Sequence, residues 1–193
     1  MIRKQDQAGY SLIEVLVSIT ILLVAIAGPM TIASNGLKNS QFAQEQNLAF
    51  FIAQSGIEKI TQSRNEFMLD AFTGGSDTWN GWANGITNAS LCGNATEGCG
   101  FRITDNDNPI ACGADGSACD IYQEDVGGSI IYSQQADPIF SSPTQTIYRH
   151  RIFTETAGAD AVRVRSVVEW RSNVQNRTEQ VELQAFLYNI YGL

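Results

Sequence analysis

The pattern of apolar and polar positions changes twice along the chain, and each change predicts a different element. From residue 15 to residue 33 there is no charge, and most positions are apolar. A run of this length is about what one helix needs to cross a bilayer. From residue 34 to about residue 64 the pattern becomes amphipathic. Leu48, Ala49, Ile52, Ala53, Ile57 and Ile60 recur at helical spacing. Gln44, Glu45, Gln46, Gln54, Ser55, Glu58 and Lys59 lie between them. One stripe of such a helix can pack on a domain while the other face stays wet. If the two stretches join, the helix runs from residue 11 to residue 64 and is roughly 80 Å long. Gly28-Pro29 predicts a break in it, because proline lacks an N–H and its ring clashes with the preceding turn.

In the last third, alternation replaces the helical period. Residues 147–156, 161–172 and 177–190 read as three strands. Val162, Val164, Val168 and Trp170 fall on one face of the second strand, and Arg163, Arg165, Glu169 and Arg171 on the other. Val181, Leu183, Ala185 and Leu187 alternate with Gln180, Glu182 and Gln184 in the third. Residues 172–176 are the expected hairpin loop. Between helix and strands, residues 67–146 are rich in turns: Gly74-Gly75, Asn80-Gly81, Asn84-Gly85, Gly127-Gly128 and Pro138. Short strands are expected at 100–104 and 129–133. The fold class predicted is α+β: a long N-terminal helix packed on an antiparallel sheet of about four strands. By pattern the chain divides into 1–9, 10–33, 34–66, 67–146 and 147–193.

With 193 residues there is room for one domain and an anchor. The 12 basic and 20 acidic residues give a formal net charge of −8, without a run of like charges. That argues against nucleic acid as the main partner, since a phosphate backbone requires a basic patch. The four cysteines repeat one spacing, Cys92-x6-Cys99 and Cys112-x6-Cys119. An even count in a chain that leaves the cytosol suggests two disulfides. Each pair encloses glycine and small polar residues that can turn tightly. Local pairing is the first choice among three connectivities. A zinc site is the runner-up, because zinc knuckles favour shorter spacing.

Candidate chemistry is scarce. No nucleophile elbow, Walker loop, dinucleotide fingerprint or HExxH motif is present, and no cofactor is implied. His150 is the single histidine, lies in an expected strand, and reads as structural rather than as a base. Asp105, Asp107, Asp115 and Asp120 gather near the second cysteine loop. They read as solvated loop acids before they read as calcium ligands, because the EF-hand pattern is not met. Trp79 and Trp82 read as a loop closing over the core before they read as a sugar-stacking surface. Asn88, Asn94 and Asn176 fit N-x-[ST], a short pattern that by itself is weak evidence for glycosylation.

The N-terminus is the most specific feature. A short leader with Arg3 and Lys4 ends at Gly9, and Tyr10, Ser11, Leu12, Ile13 and Glu14 follow before the apolar run. A lone carboxylate in hydrocarbon costs roughly 2.5–3.5 kcal/mol, so it is normally there for a reason. Neither an ordinary signal peptide, with a cut after Ala25-Ile26-Ala27, nor an uncleaved anchor needs a carboxylate there. This context resembles the class III signal of type IV pilin-like proteins, with Tyr10 in place of the family's usual Phe. The resemblance implies cleavage between Gly9 and Tyr10 by a prepilin peptidase and N-methylation of Tyr10. It implies an assembly role for Glu14 and a helix break near Gly28 and Pro29. Its implied partners are other pilin-like subunits, the pilus or pseudopilus assembly platform and the cytoplasmic membrane. The chain would cross that membrane once, with its C-terminal domain outside the cytoplasm, and then enter a filament. The stretch LAFFIAQSGIEKITQSRNEF resembles minor pilins of the PilV type and I-type minor pseudopilins of type II secretion. The expected function is therefore structural and non-enzymatic. The competing class is an extracytoplasmic binding protein whose helix is only a tether. An anchored hydrolase has no motif behind it.

Overall fold

The computed structural model describes residues 11–75, 78–101, 108–114, 116–126, 129–134, 146–172 and 174–190. The chain divides into two compact units, Met1–Ala43 and Gln44–Leu193, and the boundary falls inside the first helix.

That helix, α1, spans Leu12–Phe72, 61 residues. The expected break at Gly28 and Pro29 is not found: Pro29 lies inside the helix. Proline deprives one carbonyl, that of Ala25, of its usual donor, while the flanking bonds remain. A proline also disfavours helix at the residue before it, through that residue's Cβ. Gly28 has no Cβ, so the pair can stay helical. The helix also outlasts its expected end by two turns. Met68 is buried in the core, which makes the extra turns worth forming. A Schellman motif stops it. The Gly75 N–H donates to the Asp70 carbonyl at 2.9 Å and the Gly74 N–H to the Ala71 carbonyl at 3.4 Å. Gly74 adopts φ +96°, which a residue without Cβ tolerates.

The Gln44–Leu193 unit contains the end of α1, a second helix and a sheet. Helix α2, Trp79–Ile86, was not expected. Its Asn-Gly pairs read as turns, but Thr78 caps it, accepting from the Gly81 N–H at 3.1 Å. Trp79, Trp82, Ala83 and Ile86 form its buried face.

The sheet has seven strands among the described residues: β1 Cys99–Phe101, β2 Pro109–Ala111, β3 Asp120–Val126, β4 Ser129–Gln134, β5 Thr146–Thr156, β6 Ala161–Arg171 and β7 Thr178–Tyr188. All pairings are antiparallel. β5 is the hub. β6 takes one of its edges, and β1 and β3 share the other at different heights. β7 lies beyond β6, β2 beyond β1 and β4 beyond β3. The count exceeds the expected four: five strand segments were marked by pattern, and β2 and β3 were read as loop. Strands β5, β6 and β7 fall where alternation placed them.

The core lies between helices and sheet. Ile60 and Met68 of α1, Trp79, Trp82, Ala83 and Ile86 of α2, and Ile152, Val162, Val164 and Leu187 of the sheet form one cluster with Cys92 and Cys99. Burial of this apolar surface is the main favourable contribution to the unit's stability.

Candidate functional site: the N-terminal helix and its seat

The apolar segment is helical from its second described residue. The Glu14 N–H donates to the Ser11 carbonyl at 3.0 Å, and the Val15 N–H to the same carbonyl at 3.3 Å. Its few hydroxyls are satisfied within the helix. Ser18 donates to the Glu14 carbonyl at 2.7 Å, Thr20 to the Val17 carbonyl at 2.8 Å and Thr31 to the Ala27 carbonyl at 3.0 Å. Such local bonds let a hydroxyl enter hydrocarbon without an unmet donor. Leu12, Ile13, Leu16, Ile19, Leu22, Leu23, Ile26 and Ile32 are all exposed. Among the described residues this is one helix long and apolar enough to cross a membrane. Glu14 stands in the first turn, exposed, and its carboxylate has no partner among the described residues. Gly9 and Tyr10, the expected cleavage and methylation residues, lie outside the described residues.

In the Gln44–Leu193 unit, α1 is seated by the stripe its spacing predicts, with Ala49, Ala53 and Ile60 buried, and the sequence reading missed only Gly56 within that seat. Ala49, Ala53 and Gly56 are buried at spacings of four and three. A Cβ at Gly56 would stand 2.5 Å from His150 Nε2 and 2.8 Å from Ser166 Oγ, closer than atoms tolerate. The helix backbone therefore lies directly on this pair. His150 and Ser166 hydrogen-bond at 2.8 Å and are buried. Burial lowers the His150 pKa to about 4, so the ring is neutral at pH 7. A buried neutral ring beneath a helix is a packing element with no access to a substrate.

One turn below that stripe, Glu45 clips the helix. Tyr148 donates its hydroxyl proton to the Glu45 carbonyl at 3.2 Å, and Trp170 Nε1–H donates to the Glu45 carboxylate at 3.4 Å. Burial first, and then the charges of Glu45 and Tyr132, push the Tyr148 phenol up, so it stays a donor. Tyr148 and Trp170 were visible as sheet residues, but nothing in sequence joins them to Glu45, over a hundred positions away.

The remaining candidates are structural. Cys92 pairs with Cys99 and Cys112 with Cys119, with Cα–Cα distances of 4.5 and 5.1 Å. The pairing is local, and these cysteines hold no zinc. Asp120 accepts from Arg149 Nε at 2.7 Å. Asp105, Asp107 and Asp115 lie outside the described residues. Trp79 and Trp82 are buried with ring centroids 5.2 Å apart. Trp79 Nε1–H donates to the Ala159 carbonyl at 3.1 Å and Trp82 Nε1–H to Ser63 Oγ at 3.2 Å. They close the core, with no face left for a sugar. Asn88 and Asn94 accept from backbone N–H groups two residues on, and Asn176 holds φ 51° in the β6–β7 turn. All three serve as turn residues.

The arrangement, an exposed apolar helix with one acid and a domain without a catalytic constellation among its described residues, is suited to binding other helices. Residues 4–28 match the prokaryotic N-terminal methylation motif. That match supports a type IV pilin-like or pseudopilin-like protein, and with the apolar helix it fits a membrane-anchored one. No curated protein and no solved structure matches the chain.

Proposed function

We propose that the chain is a minor pilin of a type IV pilus, a structural and non-enzymatic subunit. It is cut after Gly9, methylated at Tyr10, held in the cytoplasmic membrane, and inserted into the filament by residues 10–33. The observation that carries this reading is Glu14: one carboxylate, without a partner among the described residues, at the start of an exposed apolar helix. In a filament the helices surround each other and exclude water. A carboxylate there is costly unless it faces a cation. After the cut, Tyr10 of a neighbour carries that cation as its terminal amine. The pair also fixes axial register, since two apolar helices alone can slide. The same reading applies to a type II secretion pseudopilus, and neighbouring genes separate the two.

The test compares Gly9→Val and Glu14→Ala. Gly9→Val leaves uncut precursor in the membrane, because the peptidase requires close backbone approach beside the cut. Glu14→Ala is cut and stays in the membrane, but its level in sheared filaments falls at least tenfold. Mature-sized protein from Gly9→Val, or wild-type filament levels of Glu14→Ala at equal membrane levels, rejects the reading.

A further inference from the structure

We propose that the free edge of β7 docks an extended strand of a neighbouring pilin-like subunit. Among the described residues β7 pairs only with β6, in an unbroken register from Arg171↔Thr178 to Ala161↔Tyr188. Two flanking bonds fix which groups are used. The Ser172 N–H donates to the Arg177 carbonyl at 3.0 Å and the Asn189 N–H to the Asp160 carbonyl at 2.9 Å. Both extend the same register. Hydrogen-bonded pairs alternate along an antiparallel ladder. The odd-numbered residues of β7 therefore bond to β6. Thr178, Gln180, Glu182, Gln184, Phe186 and Tyr188 turn their N–H and C=O groups outward.

Natural sheets blunt such an edge with proline, lysine, a bulge or a short strand. β7 has none of these over 11 residues, TEQVELQAFLY. Its two acids are engaged, Glu179 by Arg177 and Glu182 by Arg165. The side chains beside the edge describe the occupant. Val181, Leu183 and Ala185, on the face turned to α1, are only half-buried. Phe186 and Tyr188 stack on the opposite face at 6.5 Å and are 49% and 55% exposed. An added strand that alternates, apolar toward α1 and amide or aromatic on the other side, completes both rows and the ladder.

Direction excludes the simplest self-pair. Along α1, Glu45 meets Tyr148 and Trp170, and Gly56 meets His150 and Ser166. This stretch of α1 thus runs with β5, and so does β7, two antiparallel steps away. Antiparallel pairing of β7 with its own copy would set two such helices in opposite directions. Subunits of one filament all point the same way. A second copy's β7 is thereby excluded, and the occupant is the edge strand of a different pilin-like subunit. This inference rests on the pilin reading.

The experiment uses the full chain in filaments of cells that express it. A photoreactive phenylalanine analogue replaces Phe186 in one strain and Leu16 in another, and adducts are identified by mass spectrometry. The Phe186 position gives an adduct with a different chain that carries an N-terminal methylation motif. Gln184→Pro lowers that adduct at least tenfold, and Gln184→Ala leaves it, because the outward backbone N–H and not the side chain is bonded. Amide exchange at Gln180, Gln184 and Phe186 slows at least tenfold between the detergent-solubilised monomer and the filament, whether or not the proline variant folds. Leu16 adducts without a Phe186 adduct overturn the β7 edge and leave the pilin reading standing. A Phe186 adduct with a second copy of this chain, or unchanged exchange, also overturns it. Absence of adducts from both positions overturns the pilin reading and this inference with it.

Discussion

Residues 12–43 and residues 44–72 belong to one helix, yet their apolar surfaces meet opposite conditions. In the first stretch every large apolar side chain from Leu12 to Leu37 is exposed, and no residue is buried. In the second, Ala49, Ala53, Gly56, Ile60 and Met68 are buried within the unit they belong to. The first stretch is built of Leu, Ile and Val, which reward lipid or another apolar helix. The second uses small residues, which allow a backbone to lie directly on a sheet. The difference separates two tasks. Residues 44–72 are matched to partners inside the chain, and residues 12–33 require partners outside it.

The sharpest way to break this comparison is to make one substitution on each side of it. At Gly56 an added methyl has nowhere to go, with His150 Nε2 at 2.5 Å and Ser166 Oγ at 2.8 Å. Gly56→Ala should overpack the seat and part the buried hydrogen bond, costing about 3 kcal/mol or more. Trp79, Trp82 and Trp170 all belong to the Gln44–Leu193 unit, so a fluorescence-detected denaturant titration reads that unit. An unchanged midpoint would mean that the helix does not rest on His150.

Acid tests the same seat without a mutation. The folded-state pKa of His150, about 4, lies below its ordinary value of 6.5. The unfolded chain therefore binds the proton first as pH falls. This contribution to stability is complete above about pH 6.5, is lost as pH drops toward 4, and falls no further below that. The loss is at most roughly 3 kcal/mol. His150→Gln should flatten this part of the pH profile. A variant profile as steep as the wild type's would assign the acid sensitivity to other groups.

Opening the small loops comes next in size. Cys92 belongs to the core cluster and its carbonyl accepts from the Thr154 N–H at 2.9 Å, so its loop is tied to β5. Replacing Cys92 and Cys99 together by alanine should cost about 2–3 kcal/mol on the loop-entropy model. Non-reducing mass spectrometry after cleavage between the two loops should return two separately bridged fragments. A cross-linked pair of loops would contradict the local connectivity.

How much of this was legible depended on whether a signal was local. The strands β5, β6 and β7 were readable from their alternation of apolar and polar residues, although consecutive residues are buried at Ile152–Thr154 of β5 and Ser166–Val168 of β6. In β7 burial alternates residue by residue. The end of α1 was readable in Gly74-Gly75, but the amphipathic stripe thins after Ile60, so the end was placed too early. Helix α2 had a cap at Thr78 and an apolar face at Trp79, Trp82, Ala83 and Ile86. Two Asn-Gly pairs outweighed them, and burial of two tryptophans then overrode propensity. Strands β2 and β3 were missed because neither shows a sustained alternation. At the N-terminus the motif was legible because its residues are contiguous. The place of Gly56 in the seat was not, since a mid-helix glycine alone reads as weakness until His150 is placed beneath it.

The smallest effect sharpens the comparison most. Gly36 also lies within α1, in the Met1–Ala43 unit, and nothing stands within 4 Å of a Cβ built there. Gly36→Ala should therefore gain only the helix preference of alanine, roughly 0.5–1 kcal/mol, and gain it locally. Local and global stability are separable when a helix segment can open by itself. In the detergent-solubilised monomer, amide exchange around residue 36 should slow about two- to fivefold. The tryptophan-detected midpoint of the Gln44–Leu193 unit should stay where it was. The same chemical change would then destabilise one stretch of the helix and firm the other. If Gly36→Ala shifted the tryptophan midpoint as far as Gly56→Ala does, the two stretches would not be independent. The exposed segment would then be part of the folded unit instead of a surface held for other helices.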